Sequence, residues 1–254
     1  MANAQPQPSA SRLAAPAAPL QTPAPHRELR RRHDAGSQRG EGRGTPVPTP
    51  FTLDQIRRAL AAHRAQVLEP LPHQAEAAVA LVLAGAAELA LCVIQRAEHP
   101  GDPWSGHLAL PGGRADPSDP HPRAVAERET MEEVGLALDE RHWLGDLSHV
   151  LVRIGGGDRR MVLYPFVYYL GPDLPAFTPS DEVTEAFWVP LAHLWDPANA
   201  GHVEWIRDGN RLLYPAIRWR GHAIWGLTYR VLTLFSDVLD APLPHLEEIP
   251  GLGR

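Results

Sequence analysis

The sequence predicts an α/β fold with a mixed central sheet between helices, and three observations carry that prediction. Short apolar runs of strand length recur from residue 77 to residue 219, each too short for an ordinary helix. Helical spacing or helical end signals occur in only a few stretches, chiefly 52–66, 122–134 and 225–239. Strands interleaved with so few helices imply a sheet packed between them.

The elements follow in order. Thr52 is a cap candidate for a helix over 52–66, with apolar residues at Ile56 and Leu60 and a break at Glu69-Pro70. Residues 77–84 and 89–95 are apolar runs separated by 85–88, a hairpin pattern. Leu108, Ala109 and Leu110 form a short strand that enters a loop at Pro111-Gly112-Gly113, where paired glycines permit backbone dihedrals closed to other residues. A helix over 122–134 has Asp119 or His121 near its start and stops at Gly135, a C-terminal signal. Residues 143–153 and 161–170 read as strands flanking a turn at 155–157, and 187–189 as another strand before a helical turn over 191–195. Residues 202–207 and 211–219 read as a hairpin through Asp208-Gly209, a dipeptide suited to a tight turn. A helix over 225–239 closes the domain.

The densest chemistry lies on the helix over 122–134. At roughly 100° per residue, Glu129, Glu132 and Glu133 fall within an arc of about 100° and project from one side. Like charges this close repel, so a bare helix disfavours the arrangement, whereas Mg²⁺ or Mn²⁺, hard cations that prefer oxygen ligands, turn repulsion into coordination. E-x-x-E-E alone reads more readily as a solvated acidic face. The glycine-rich segment before it and the glycine stop after it point instead to a divalent-metal site that holds a diphosphate.

In this order Gly113, Asp119, Arg128-Glu129, Glu132-Glu133 and Gly135-Leu136 resemble the signature of the Nudix hydrolases, G-x5-E-x7-R-E-U-x-E-E-x-G-U, where U is aliphatic. Asp119 stands at the family's Glu, Thr130 at an aliphatic position, and one extra residue separates Gly113 from Arg128. That longer spacing is similar to the branch that hydrolyses coenzyme A. Upstream, Arg96-Ala97, Gly106 and Pro111-Gly112-Gly113 match most of the motif that precedes the box in coenzyme A diphosphatases. There the expected basic residue after Arg96-Ala97 is missing, the spacing to Gly106 is one longer, and Leu110 replaces Phe. Residues Ile224-Trp225-Gly226-Leu227-Thr228 resemble the opening of the last helix in the same branch, and also read simply as a packing helix with an aromatic anchor. The resemblance spans most of residues 52–240 and implies a Nudix α/β/α sandwich.

It also implies roles. Glu129, Glu132 and Glu133 are the expected ligands of Mg²⁺ or Mn²⁺, with Glu129 and Glu132 counted among the catalytic residues. Arg128 is expected to orient a ligand carboxylate and the loop, with Asp119 as its loop-side partner and Asp116 as the fallback. The stretch around Glu182 is similar to the family segment in which an acidic residue precedes an F-W-V-P-L strand, so Glu182 is the candidate general base and Glu185 the second choice. Arg96, Gly112 and Gly113 are assigned to substrate binding. Trp104 and His107, in the loop before the box, read either as packed loop aromatics or as contacts to a nucleotide base.

Composition bounds the reading. The first fifty residues are rich in Pro, Ala, Arg, Gly and Ser and bury too little apolar surface to offset chain entropy. Residues 1–50 are therefore expected to be a disordered extension, or the product of a misassigned start, and residues 51–245 a single Nudix domain. The tail holds seven Arg against three acidic residues, while the remainder holds seventeen Arg against twenty-seven acidic residues. An acidic body argues against a nucleic-acid partner, which calls for a basic stripe. The 254 residues contain no Lys, a compositional bias. A single cysteine, Cys92, excludes an internal disulfide and suits a reducing cytoplasm. No apolar run approaches membrane-spanning length, and none of the thirteen His falls in an H-E-x-x-H zinc pattern.

The expected function is metal-dependent hydrolysis of a nucleoside diphosphate linked to another group. Coenzyme A or acyl-CoA comes first, yielding 4′-phosphopantetheine and adenosine 3′,5′-bisphosphate. ADP-ribose or dinucleoside polyphosphates are the enzyme alternative, and a nucleotide-sensing Nudix module without catalysis is the alternative of a different class. The expected partner is a small nucleotide substrate, with neither nucleic acid nor membrane, and a homodimer is compatible with the sequence.

Overall fold

The computed structural model describes residues 51–69, 74–99, 104–154, 159–207 and 210–245. All of them belong to the unit Arg43–Arg254. The expectations for the tail over 1–50 and for the turns at 155–157 and 208–209 lie outside the described residues.

The chain opens with helix α1 (Leu53–Ala62), started by a capping box in which the Thr52 hydroxyl accepts from the Gln55 N–H and the Gln55 side chain accepts from the Thr52 N–H. That reciprocal pair satisfies two otherwise orphaned donors and stabilises by about 1 kcal/mol. Strands β1 (Ala75–Ala84) and β2 (Ala90–Arg96) form the expected hairpin, pairing Leu83 with Leu91 and Ala84 with Ala90. Beyond those pairs the two strands part. Strand β3 (Leu108–Ala109) pairs with the end of β2, and β4 (Gly112–Arg114) pairs with Ala77, Ala78 and Val79 of β1. The glycine segment is thus a wedge of strand in the split of the sheet rather than a loop, because the open edge of β1 offers it a ladder.

Helix α2 (Pro122–Val134) follows, and then β5 (Trp143–Asp146), β6 (Val150–Arg153) and β7 (Arg160–Tyr169). The single strand expected over 143–153 is two. Both pair antiparallel with β7, with an irregularity in the β5 register between Trp143 and Gly145. Strand β7 in turn pairs parallel with β1 over nine residues, so the sheet is mixed. Strand β8 (Val183–Pro190) covers the other edge of β2 and starts earlier than its aromatic core suggests. After the short helix α3 (Leu191–Trp195), strands β9 (Ala200–Arg207), β10 (Asn210–Trp219) and β11 (His222–Trp225) form a separate antiparallel sheet. Helix α4 (Gly226–Val238) closes the domain; Trp225 ends the preceding strand instead of opening the helix.

Side-chain alternation along β1 shows the layering. Ala77, Leu81 and Leu83 join a core with Ile56 and Leu60 of α1 and Val231, Leu232 and Phe235 of α4. Their neighbours Ala78, Ala80 and Val82 join a second core with Val125, Ala126 and Val134 of α2. Strands with apolar residues on both faces are buried on both sides. The sheet therefore lies between α2 and the α1/α4 layer, as an α/β/α sandwich.

Candidate active site

The site is built where α2 crosses the split in the sheet. His121 caps α2 through Nδ1, which accepts from the Ala124 N–H at 3.0 Å, and Pro122 occupies the first turn, where its missing N–H is harmless. At the other end Gly135 takes φ 72°, and its N–H donates to the Met131 carbonyl at 3.0 Å. Thr130, at the signature's aliphatic position, is fully buried, its hydroxyl donating back to the Ala126 carbonyl at 2.7 Å. Once that hydroxyl is satisfied within the helix, the side chain packs as an aliphatic one would.

Close approach of backbone requires glycine at 112, while glycine at 113 lets the Glu129 carboxylate lie against the main chain. At Gly112, with φ 149°, an added Cβ would lie 2.2 Å from the Ala78 carbonyl oxygen. At Gly113 it would lie 2.3 Å from the Glu129 carboxylate. Glu129 therefore rests directly on the backbone of β4. The Gly112 N–H donates to Glu133 Oε2 at 2.9 Å.

The three helix carboxylates have different surroundings. Glu133 is buried, 3% exposed, and burial pushes its pKa up to about 7, with Glu129 and Glu182 adding to the rise and the Gly112 N–H and Arg96 opposing it. Glu129 is also pushed up by burial, with the charges of Glu132 and Glu182 adding and Arg128 opposing. Glu132 is open to solvent and pairs with Arg128. The guanidinium of Arg128 is a hub: Nε and Nη2 donate to the two oxygens of Asp119 at 3.1 and 3.0 Å, and Nη1 donates to Glu129 and Glu132, both at 3.0 Å. Nη2 also reaches the Arg114 carbonyl at 3.3 Å. Aspartate at the signature's glutamate position thus reaches Arg128 in full, and its bond to Arg128 holds its pKa below the usual carboxylate range. Asp116, the fallback, instead accepts from Ser118 and shapes the loop.

A later segment straps across the end of α2. The Thr178 N–H donates to the Val134 carbonyl at 2.9 Å and the Ser180 N–H to the Glu133 carbonyl at 3.0 Å. The strap carries Glu182 to where its charge acts on both Glu129 and Glu133. Its carbonyl accepts from the Ala97 N–H at 2.8 Å, which fixes it beside Arg96. Glu185 lies across from Gln95 and is directed toward Arg220, 3.9 Å away. Thr178 and Ser180 meet α2 through their main chains, which leaves no signal in the sequence, and the Ser180 hydroxyl also accepts from the Glu182 N–H at 3.4 Å.

The structure therefore gathers Arg96, Gly112, Gly113, Arg128, Glu129, Glu132, Glu133 and Glu182 around one end of α2. Among the described residues no three His, Cys, Asp or Glu side chains already stand as a closed metal-binding group. Arg128 bridges Glu129 and Glu132, and Glu133 is held by Gly112. The donor chemistry nevertheless fits a hard divalent cation: oxygen donors only, with mutual repulsion and burial raising Glu129 and Glu133. Two cavities, of about 440 and 470 Å³, are lined by α4 with β9 and β10, and by the 115–121 segment with Tyr164; Glu129, Glu132 and Glu133 line neither.

Fold and site together define an α/β/α protein that presents a part-buried carboxylate cluster against a glycine strand wedged into its sheet. A model of the NUDIX domain matches residues 73–209, more than half of the chain, and the chain belongs to that family. It is 37% identical over 150 residues to human mitochondrial coenzyme A diphosphatase NUDT8, an alignment covering 58% of this chain and 61% of that one. The mouse protein of the same name is 34% identical over 140 residues, covering 54% and 64%. The chain thus spans somewhat over three fifths of the length of these relatives. An uncharacterized Nudix hydrolase, NudL, of Salmonella heidelberg is 28% identical over 182 residues, covering 72% and 92%. Among solved structures, a MutT/nudix family protein from Enterococcus faecalis overlays with a TM-score of 0.46 at 16% identity, covering 75% of each chain. Among the described residues no helix is long and apolar enough to cross a membrane.

Proposed function

We propose that the protein is a metal-dependent diphosphate hydrolase whose substrate is coenzyme A or an acyl-CoA, cleaved to 4′-phosphopantetheine and adenosine 3′,5′-bisphosphate. The observation that carries the hydrolase reading is Glu133, a buried carboxyl with raised pKa set beside Glu129 and Glu182 and fixed by the Gly112 N–H. Burying a repelled carboxylate is costly unless a positive partner offsets it. Substrate choice is supported by the extra residue between Gly113 and Arg128 and by the identity to the coenzyme A diphosphatases.

In this reading Glu129, Glu132 and Glu133 hold Mg²⁺ or Mn²⁺. Such an ion, when bound, neutralises phosphate oxygens and makes water more acidic. Arg128 is a positioning residue: its fork on Asp119 fixes the loop, and its remaining nitrogen aims Glu129 and Glu132. Glu182, exposed at the rim and felt by both inner carboxyls, accepts the proton of the attacking water. Gly112 and Gly113 leave room for phosphate against the backbone of β4, and the charge of Arg96 attracts it. The domain spans residues 51–245, and the buried, free Cys92 suits a reducing compartment such as the cytoplasm.

The test is turnover of coenzyme A, ADP-ribose and diadenosine polyphosphates in parallel, with Mg²⁺ and with Mn²⁺. Coenzyme A hydrolysed fastest supports the proposal. Preference for ADP-ribose overturns the substrate alone, and no release from any of them overturns catalysis in favour of a nucleotide-sensing module.

A further inference from the structure

We propose that Trp104, backed by the aromatic face of the β9–β11 sheet, seats the heteroaromatic base of the substrate, so that the site reads a nucleotide by stacking as well as by its phosphates. The inference rests on the nucleotide-hydrolase reading above and adds the substrate group that reading leaves unplaced.

Strand pairing assembles the face. Trp205 lies opposite Leu212, and Trp225 opposite Ala216. Because Leu212, Tyr214 and Ala216 alternate along β10, Trp205, Tyr214 and Trp225 share one side of the small sheet. Their rings are in contact, with centroids 5.5 Å apart for Trp205 and Trp225 and 5.8 Å for Tyr214 and Trp225. The opposite side sends Ile217 and Ile224 into the core. Trp104 lies over the aromatic side, its ring within 10° of parallel to Trp205 at 6.2 Å, while His107 closes the cluster at 5.1 Å from Trp225. Despite this support Trp104 is 52% exposed. An apolar residue exposed singly needs no explanation, but this one is the most exposed ring of a five-ring cluster.

Backbone pairing ties the cluster to the carboxylates. The Arg96 N–H donates to the His107 carbonyl at 3.0 Å and the Gly106 N–H to the Arg96 carbonyl at 3.1 Å, while the next residue, Ala97, donates to Glu182 on the other edge of β2. The turn bearing Trp104 is therefore one strand spacing, about 5 Å, from the main chain of Arg96, whose charge acts on Glu133. Gln95 pairs with Leu108, which points into the α4 core, so Arg96 and His107 face the α2 side where the carboxylates lie. A flat, half-exposed ring stiffened from behind suits a base, because every base offers a π face and stacking tolerates differences between them. An acyl tail would call for an enclosed apolar pocket instead.

The test compares adenosine 5′-monophosphate with ribose 5-phosphate, which differ only in the base, by calorimetry on the full chain with Mg²⁺, for the parent, Trp104→Ala and Trp104→Phe. Thermal melts confirm that each variant is folded. The parent should bind the adenosine nucleotide more tightly. Trp104→Ala should lose about tenfold of that affinity, within the range supplied by base–aromatic stacking, leave ribose 5-phosphate unchanged, and raise KM with kcat within about twofold; Trp104→Phe should keep most of the affinity. Equal binding of the two ligands by the parent, or an unchanged nucleotide affinity in Trp104→Ala, overturns the inference. Base-dependent binding in a parent that cleaves nothing would uphold the stacking site and overturn only the hydrolase reading.

Discussion

Arg128 holds Asp119 through two parallel hydrogen bonds, of 3.1 and 3.0 Å, and with its remaining nitrogen holds both Glu129 and Glu132. Arg supplies this fork and Lys does not. Arg128→Lys is therefore expected to lower kcat/KM about 10- to 100-fold, the range typical of groups that orient metal ligands, and to weaken Mn²⁺ binding in a direct titration. Asp119→Asn, which keeps the shape but loses the charge, should show a smaller loss in both measurements. Unchanged Mn²⁺ affinity in Arg128→Lys would count against the positioning role.

Gly113→Ala is expected to damage activity more than folding. The new Cβ would lie 2.3 Å from the Glu129 carboxylate, and Gly113, unlike Gly112, needs no left-handed backbone. Relief comes from moving the Glu129 side chain off β4. Kinetics should show at least about a tenfold fall in kcat, since small misplacements of a reacting constellation are costly, while the melting temperature moves by only a few degrees.

The raised pKa of Glu133 makes the metal-free protein sensitive to pH. Its folded value, about 7, lies above its ordinary 4.5, so between those values the folded state binds more protons than the unfolded one and stability falls as pH rises. Melts of metal-free protein between pH 5 and 8, as test conditions, should show this fall, and Glu133→Gln should flatten it. Added Mg²⁺ should raise the melting temperature more at the alkaline end, because ligands must be deprotonated to bind. An equal gain at both ends would show that Glu133 is not a ligand.

Thr130→Val, which restores the signature's aliphatic residue, should change stability by less than about 1 kcal/mol in denaturant unfolding. It removes a hydroxyl bonded only within its own helix, to the Ala126 carbonyl, and such exchanges are close to neutral. Activity should be unaltered.

What could be read in advance was local. Helix α2 lies on the residues its caps and carboxylate spacing mark, and the β1–β2 hairpin turns where Gly85 and its neighbours predict. Gly112 and Gly113 were legible as special, but not as a strand, because their pairing partners Ala78 and Val79 lie more than thirty residues upstream. The strap by which Ser180 meets Glu133 was invisible for a similar reason: the bond is between main chains and any residue supplies it. Trp104 could be noted in its loop, yet its meaning depends on Trp205 and Trp225, about a hundred residues later. The last helix starts one residue later than expected and the short strand His222–Trp225 before it was not foreseen, because Trp225 continues an apolar helical pattern while its backbone pairs with Ala216.

If the α2 carboxylates hold the divalent ion that diphosphate hydrolysis needs, Glu133→Gln removes a ligand without removing the side chain's shape. Product release from coenzyme A should be measured with and without Mn²⁺, for the parent and the variant, alongside a Mn²⁺ titration of each. Metal-dependent release by the parent is expected and, in the variant, loss of both turnover and Mn²⁺ binding in a protein that melts no lower than the parent. Full activity in Glu133→Gln would contradict it.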